Sequence, residues 1–208
     1  MKRINKAVAL LLVVTFILGV TGCAKKWTRQ ELISGLESYG IKETDDLSVV
    51  TNHLNRQGGD NGYYVAKDKE EAGKWSNVIM NRFKTMPDII ADDFVLAVVS
   101  EEGSNGKFYM TFVCYATLES NAKAKETYEN LVDAHGDKEN GKTGTSSSIT
   151  YCVDSGVSAA GTNKIGTGIY LQGNTIIFLR AQAAVDDDYK FADAVCGKLG
   201  LLSPSKAG

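Results

Sequence analysis

The chain has 208 residues, 43% of them hydrophobic, 23% charged and 9% aromatic, with two prolines, which excludes the disordered and fibrous classes and suits a single compact domain. Residues 1–22 hold three bases, Lys2, Arg3 and Lys6, and no acids; the other 186 carry 20 basic against 25 acidic side chains, a net charge of −5. A nucleic-acid binder would have a basic footprint, so that class is excluded.

The charged start MKRINK runs into Ala7–Val20, fourteen residues without a charged side chain. This is the charge-then-apolar order of a secretory signal, and it falls short of the roughly 20 residues that a permanent span needs. Val20-Thr21-Gly22-Cys23 follows at once and resembles the lipobox of bacterial lipoproteins. That resemblance covers about the first 23 residues. It implies that the Cys23 thiol becomes diacylglycerylated, that the Gly22–Cys23 bond is cut, and that residues 1–22 are lost. Only a thiol forms the thioether, and Thr21 and Gly22 are small enough to enter a peptidase. A simple secreted protein cut after Ala24, or an uncleaved anchor, are the alternative readings. Residues 23–27 then form a lipidated cysteine and a short tether, too short and too poor in Ser, Gly and Pro to let a domain roam.

From Trp27 the mature chain reads as alternating elements. Thr28-Arg29-Gln30-Glu31 is a capping box, with Trp27 and Leu32 placed for a hydrophobic staple, and Leu32, Leu36 and Tyr39 follow at helical spacing. A second helix is expected over Asp45–Asn55, a short strand over Tyr63–Ala66, and a third helix from Asp68 carrying Ala72, Trp75, Ile79 and Phe83 on one face towards Pro87. Phe94–Ser100 and Lys107–Thr117 read as strands joined through Asn105-Gly106, a strong hairpin signal. A helix is expected over Ser120–His135, then a polar loop over 137–148. Strands over Ile149–Val153, Thr167–Gln172 and Thr175–Ala181 and a last helix over Asp187–Leu199 complete the series.

A hairpin followed by a helix occurs twice, which predicts an α+β fold: an antiparallel sheet with helices packed on one face, built from hairpin-plus-helix units. The globular domain is expected to span 28–202, with 203–208 as a C-terminal tail. The segment GNTIIFLRA, its acidic helix start and the ending KLGL resemble the C-terminal part of small uncharacterised lipoproteins of Gram-positive bacteria, a likeness over about 30 residues that implies no activity.

Motifs for chemistry are incomplete. Gly136–Thr143 fits the spelling of a phosphate-binding loop, but a helix precedes it, a Ser/Thr/Gly run follows, and Asp137 and Glu139 would repel phosphate. Ser104-Asn105-Gly106-Lys107, Tyr128-Glu129-Asn130 and Lys142-Thr143-Gly144 are superficially similar, in order, to the signatures of penicillin-binding enzymes, yet Ser104 falls in a turn where that family opens a helix. Ser158, in Gly156-Val157-Ser158-Ala159-Ala160, narrowly misses a nucleophile elbow. His53 and His135 have no partner at metal-ligand spacing, and His135 is expected to serve its helix C-terminus. Contiguous acids at Asp92-Asp93, Glu101-Glu102 and Asp186-Asp187-Asp188 diverge rather than converge on calcium, and the triplet is expected to cap the last helix. With Cys23 lipidated, Cys114, Cys152 and Cys196 remain, an odd number that permits one internal disulfide at most.

The sequence therefore predicts an exported lipoprotein on the outer face of the cell membrane, acting as a non-catalytic binding or interaction module. Cys23 is its lipidation site, and no catalytic residue, metal or cofactor is expected. The expected partners are membrane lipid, through the Cys23 acyl chains, and an envelope protein; nucleic acid is not among them. A cell-envelope hydrolase acting on peptide or cell-wall substrates is the alternative.

Overall fold

The computed structural model describes residues 26–46, 61–82, 91–137 and 139–207. The lipobox, His53 and most of the helix expected over Asp45–Asn55 lie outside them, as do the side chains of Trp75 and Ile79. In chain order the described elements are α1 (Arg29–Ser38), β1 (Lys42–Glu43), β2 (Gly62–Val65), α2 (Lys69–Arg82), β3 (Ala91–Glu102), β4 (Phe108–Leu118), α3 (Asn121–His135), β5 (Lys142–Ser146), β6 (Ile149–Val157), β7 (Lys164–Gln172), β8 (Thr175–Ala183), α4 (Lys190–Leu199) and a 3₁₀ turn at Pro204–Lys206.

The strands form one sheet in the order β1-β2-β3-β4-β8-β7-β6-β5. Every neighbouring pair is antiparallel except the two-residue pairing of β1 with β2. The α+β class and the antiparallel sheet therefore stand. The position of the helices differs from expectation, because they cover both faces. Val95, Ala97 and Val99 of β3 point towards Leu32 and Leu36 of α1 and Phe191 and Val195 of α4. Phe94, Leu96 and Val98 point the other way, towards Ala72 of α2 and Leu131 and Val132 of α3. The physical reason is the unbroken run Phe94–Val99, all six side chains at most 1% exposed: successive strand residues face opposite sides, so a continuous apolar run needs cover on each. The two hairpin-plus-helix units send their helices to opposite faces and are not copies of one another.

Local signals account for most element ends. The Thr28 hydroxyl accepts from Glu31 N at 3.2 Å while the Glu31 carboxylate accepts from Thr28 N at 3.2 Å, closing the capping box, and Trp27 and Leu32 are buried in one cluster. Ser120 caps α3 through Lys123 N. The segment expected to be a loop, 137–148, instead holds the edge strand β5, paired with β6 from Lys142↔Val153 to Ser146↔Ile149. Its hairpin turns on Ser147 and Ser148, both with positive φ (48° and 70°), the conformation that a two-residue turn needs and that Asn-Gly would have advertised.

Residues 203–207, expected to be a free tail, fold back against the sheet. Ser203 and Pro204 are buried, Ala207 is 5% exposed, and the Ser203 and Ser205 hydroxyls both donate to Asp193 of α4. Leu202 O accepts from Tyr170 Oη of β7 at 2.6 Å. Trp27, assigned to the tether, is 4% exposed and belongs to the core. The body thus takes in residues on either side of 28–202.

Candidate functional site

The two ends of the sheet differ. At one end the chain enters: Trp27 N donates to the Gln172 side chain at 2.8 Å, and Lys26 Nζ donates to Asn174 in the β7–β8 turn at 3.2 Å. A shallow groove runs beside this entry, formed by two adjoining clefts of 330 and 340 Å³ that share Ser147, Ile149 and Gly200; Trp27 walls one and Tyr151 the other.

The opposite end carries the exposed apolar side chains. Among the described residues the exposed large hydrophobics are Tyr39 (37%), Phe108 (68%), Val157 (59%) and Val185 (40%). Phe108 opens β4 opposite Glu102, the last residue of β3; Val157 closes β6 opposite Lys164, the first of β7; and Val185 lies two residues past Ala183, the other partner of Lys164. Tyr39 reaches the same end, where its hydroxyl donates to Glu101 Oε1 at 2.6 Å. Glu101 Oε2 also accepts from Phe191 N at 3.1 Å, so this carboxylate ties the end of α1 to the start of α4, beneath an edge-on Tyr39–Phe191 ring pair at 5.1 Å. Burial first, and the Glu101 carboxylate second, raise the Tyr39 phenol above its ordinary pKa.

The aspartate triplet belongs to this end too, with a different role from the one expected. Tyr189 is the N-cap of α4, without a side-chain cap bond. Asp187 Oδ2 instead accepts from Ser104 N at 2.7 Å, bracing the β3–β4 turn, and that bond holds the Asp187 carboxyl below its usual range. Ser104 is therefore a turn residue. Ser158 opens the β6–β7 loop, its N–H donating to Asn163 O at 2.8 Å. The phosphate-loop spelling is likewise structural: Asp137 Oδ1 accepts from Glu139 N and Asn140 N at 3.0 and 2.9 Å, and Lys142-Thr143 begin a strand where that motif requires a helix.

The acidic pairs diverge as expected. Asp93 pairs with Arg29 at 2.9 Å and Asp92 with Lys69 at 2.7 Å. Among the described residues no three His, Cys, Asp or Glu side chains converge as metal ligands, and no described helix is long and apolar enough to cross a membrane.

Cys114, Cys152 and Cys196 are buried thiols outside any disulfide. The register explains why no bridge forms. Cys152 pairs with Ile169, Ile169 with Phe178 and Phe178 with Cys114, which puts Cys152 and Cys114 three strands apart, about 14 Å. Cys196 lies on the other face. Burial raises the Cys114 and Cys196 thiols to about 12, so neither is a nucleophile at neutral pH. Cys152 lies under Gly136, whose missing side chain leaves room for its sulfur, and is 0% exposed.

On the α3 face lies a polar row absent from the sequence reading. Arg180 of β8 pairs with Thr167 of β7, and Thr167 with Asp154 of β6. Asp154 Oδ2 accepts from Asp137 N at 3.1 Å, just past the end of α3, and burial raises its carboxyl above the usual range despite hydrogen bonds from Asp137 and Thr167. His135 ends α3 stacked on Phe178, ring centroids 5.3 Å apart. Burial first and the Arg180 charge second lower its pKa from the ordinary 6.5, so the positive helix-end role expected of it is not the form the fold favours. His135 is expected to titrate below 6.5 when its ring protons are followed by NMR. Since the unfolded chain binds this proton more tightly, its contribution is flat above about pH 6.5 and stability falls as pH drops below that value. A ring that titrates at or above 6.5 would contradict this packing.

No protein-family description matches the chain, and no curated protein matches it in sequence. Among solved structures, the extracellular domain of PknH from Mycobacterium tuberculosis is similar at 10% identity and a TM-score of 0.40, over 84% of this chain and 95% of that one.

Proposed function

We propose that this chain is an extracytoplasmic lipoprotein, anchored through acyl chains on Cys23, that works as a non-catalytic module binding an envelope protein at the end of its sheet farther from the membrane. The observation that carries the reading is the separation of the two ends. Among the described residues the exposed large hydrophobics lie at the sheet end where β4 and β7 begin, whereas Lys26 and Trp27 are pinned where β7 ends. Along the nine residues of β7 the two ends stand roughly 26 Å apart. Three residue steps separate Cys23 from Lys26, at most about 11 Å of chain, so an anchor at Cys23 holds the entry end to the bilayer and turns the apolar end away from it.

That orientation favours a protein as the occupant. Exposed apolar side chains with charged neighbours, here Lys107 next to Phe108 in sequence and Lys164 paired with Val157, suit a protein interface, and the proposed lipid is at the other end. The hydrolase alternative, which would use scattered Ser, His and Asp residues, gains no support from Ser104 and Ser158, whose backbone N–H groups serve turns; His53 lies outside the described residues.

Crosslinking on intact cells, followed by identification of neighbours, tests the reading. A specific protein neighbour is expected with the wild type, and its yield should fall at least about fivefold when Phe108 and Val157, both exposed and therefore neutral for folding, are each replaced by Asp. Recovery of the chain's own dimer only, of no specific neighbour, or of the same neighbour at equal yield from Phe108→Asp/Val157→Asp would overturn it.

A further inference from the structure

We infer that Arg180 and Gln182 form a binding site for an organic monocarboxylate on the α3 face of the sheet, just beyond the end of α3. The inference concerns a small ligand and does not depend on the anchor or on the protein partner.

The argument begins with the pattern of β8. Ile176 and Phe178 sit in the core beneath α3. Two and four residues past Phe178, on the same face of the strand, come Arg180 and Gln182, where the helix no longer covers the sheet because α3 stops at His135, stacked on Phe178. Both side chains are half-buried, yet among the described residues neither makes a hydrogen bond or an ion pair. The acid of the same row feels the Arg180 charge but forms no ion pair with it. Asp154 is two strands away, roughly 9.6 Å, and its carboxylate accepts from Asp137 N and Thr167 instead. A half-buried guanidinium with its donor fork unspent and an amide beside it is suited to a planar anion.

The neighbours narrow the ligand class. Arg180 lies opposite Phe112 on β4 and Gln182 opposite Ile165 on β7. Continuing the β4–β8 register one step past Thr111↔Ala181 puts Met110 beside Gln182, with the exposed Phe108 two residues farther along the same face. An apolar body can therefore lie against Met110, Ile165 and Phe108 while its charged group meets Arg180. One guanidinium flanked at a distance by Asp154 and Asp137 suits a single negative charge; a dianion would feel both carboxylates more strongly. Carboxylate on an apolar stem satisfies both conditions, whereas inorganic phosphate has no stem and is in large part a dianion at neutral pH.

The test is an NMR titration of the protein as isolated from its producing cells, in detergent micelles, with hexanoate, its neutral isostere hexanamide, and inorganic phosphate. Hexanoate should shift the amide resonances of β7 and β8 around Arg180 saturably, hexanamide should not, and phosphate should bind more weakly. Arg180→Gln should weaken hexanoate by about tenfold or more, as expected for a charge-assisted pair, and Arg180→Lys, which keeps the charge and loses the fork, by an intermediate factor. If Arg180→Gln fails to fold, the Lys variant and Gln182→Ala carry the test, each expected to weaken binding several-fold. No saturable shift with hexanoate, equal binding of hexanamide, phosphate binding as tightly as hexanoate, or unchanged affinity in the folded variants would each overturn the assignment.

Discussion

Replacing Cys23 by serine is expected to abolish lipid attachment altogether. A hydroxyl does not form the thioether that the lipobox resemblance requires at Val20-Thr21-Gly22-Cys23, so neither diacylglycerol nor the subsequent cut follows. Each buried methylene holds the chain on the bilayer by about 0.8 kcal/mol, and two acyl chains together give stable anchoring where one alone gives only marginal binding. The effect is accordingly all or none. A fatty-acid probe should label the wild type and leave Cys23→Ser at background, with the variant retaining its apolar leader and an intact Met1. A Cys23→Ser protein that still takes up label would remove the anchor, and with it the orientation on which the proposed function rests.

The largest effect on stability is expected at Gly168. A Cβ built there would stand 2.3 Å from Tyr170 Oη and 2.7 Å from two of its ring carbons. The ring has nowhere to go. Tyr170 is 0% exposed, its hydroxyl donates to Leu202 O at 2.6 Å, and Cys196 Sγ lies 3.6 Å from the same oxygen. Gly166, one step along the same face, is filled in like manner by Tyr189 and Pro204. Gly168→Val should cost about 3 kcal/mol or more, since overpacking here also detaches the C-terminal segment from the sheet, and should lower Tm by roughly 6–12 °C. Gly156→Ala, where a Cβ would meet nothing within 4 Å, should stay within about 0.5 kcal/mol of wild type. Urea denaturation of the two variants distinguishes a packed interface from a loose one: equal midpoints would refute the arrangement.

How much of this was legible in the residues depends on whether the signal is local. The Thr28–Glu31 capping box and the Asn105-Gly106 turn involve neighbours in sequence, and both occur as read, Gly106 with φ 72°. The α+β class followed from them. Helices on both faces are readable in principle from Phe94–Val99, because an unbroken apolar run denotes two buried sides, whereas the hairpin-plus-helix order points to one. The strand β5 has no apolar residue at all, so periodicity could not find it: its partner across the hairpin defines it. Asp187 offered a helix-capping spelling, but its acceptor was taken by Ser104, 83 residues away in sequence. Arg180 and Gln182 left a trace that went unread, two polar residues at strand spacing interrupting the apolar run of β8, which marks where cover from the helix layer ends.

The polar character of β5 has a consequence for life in two dimensions. Molecules confined to a surface meet their neighbours far more often than molecules in bulk, and an open sheet with a long bare margin would zip such neighbours into ribbons. Here one margin is the two-residue β1 and the other is Lys142-Thr143-Gly144-Thr145-Ser146, hydrophilic throughout and bearing a lysine. Neither hem offers greasy side chains to stitch a second copy onto, so under the proposed anchoring a densely populated lawn of these molecules would be kept from felting together.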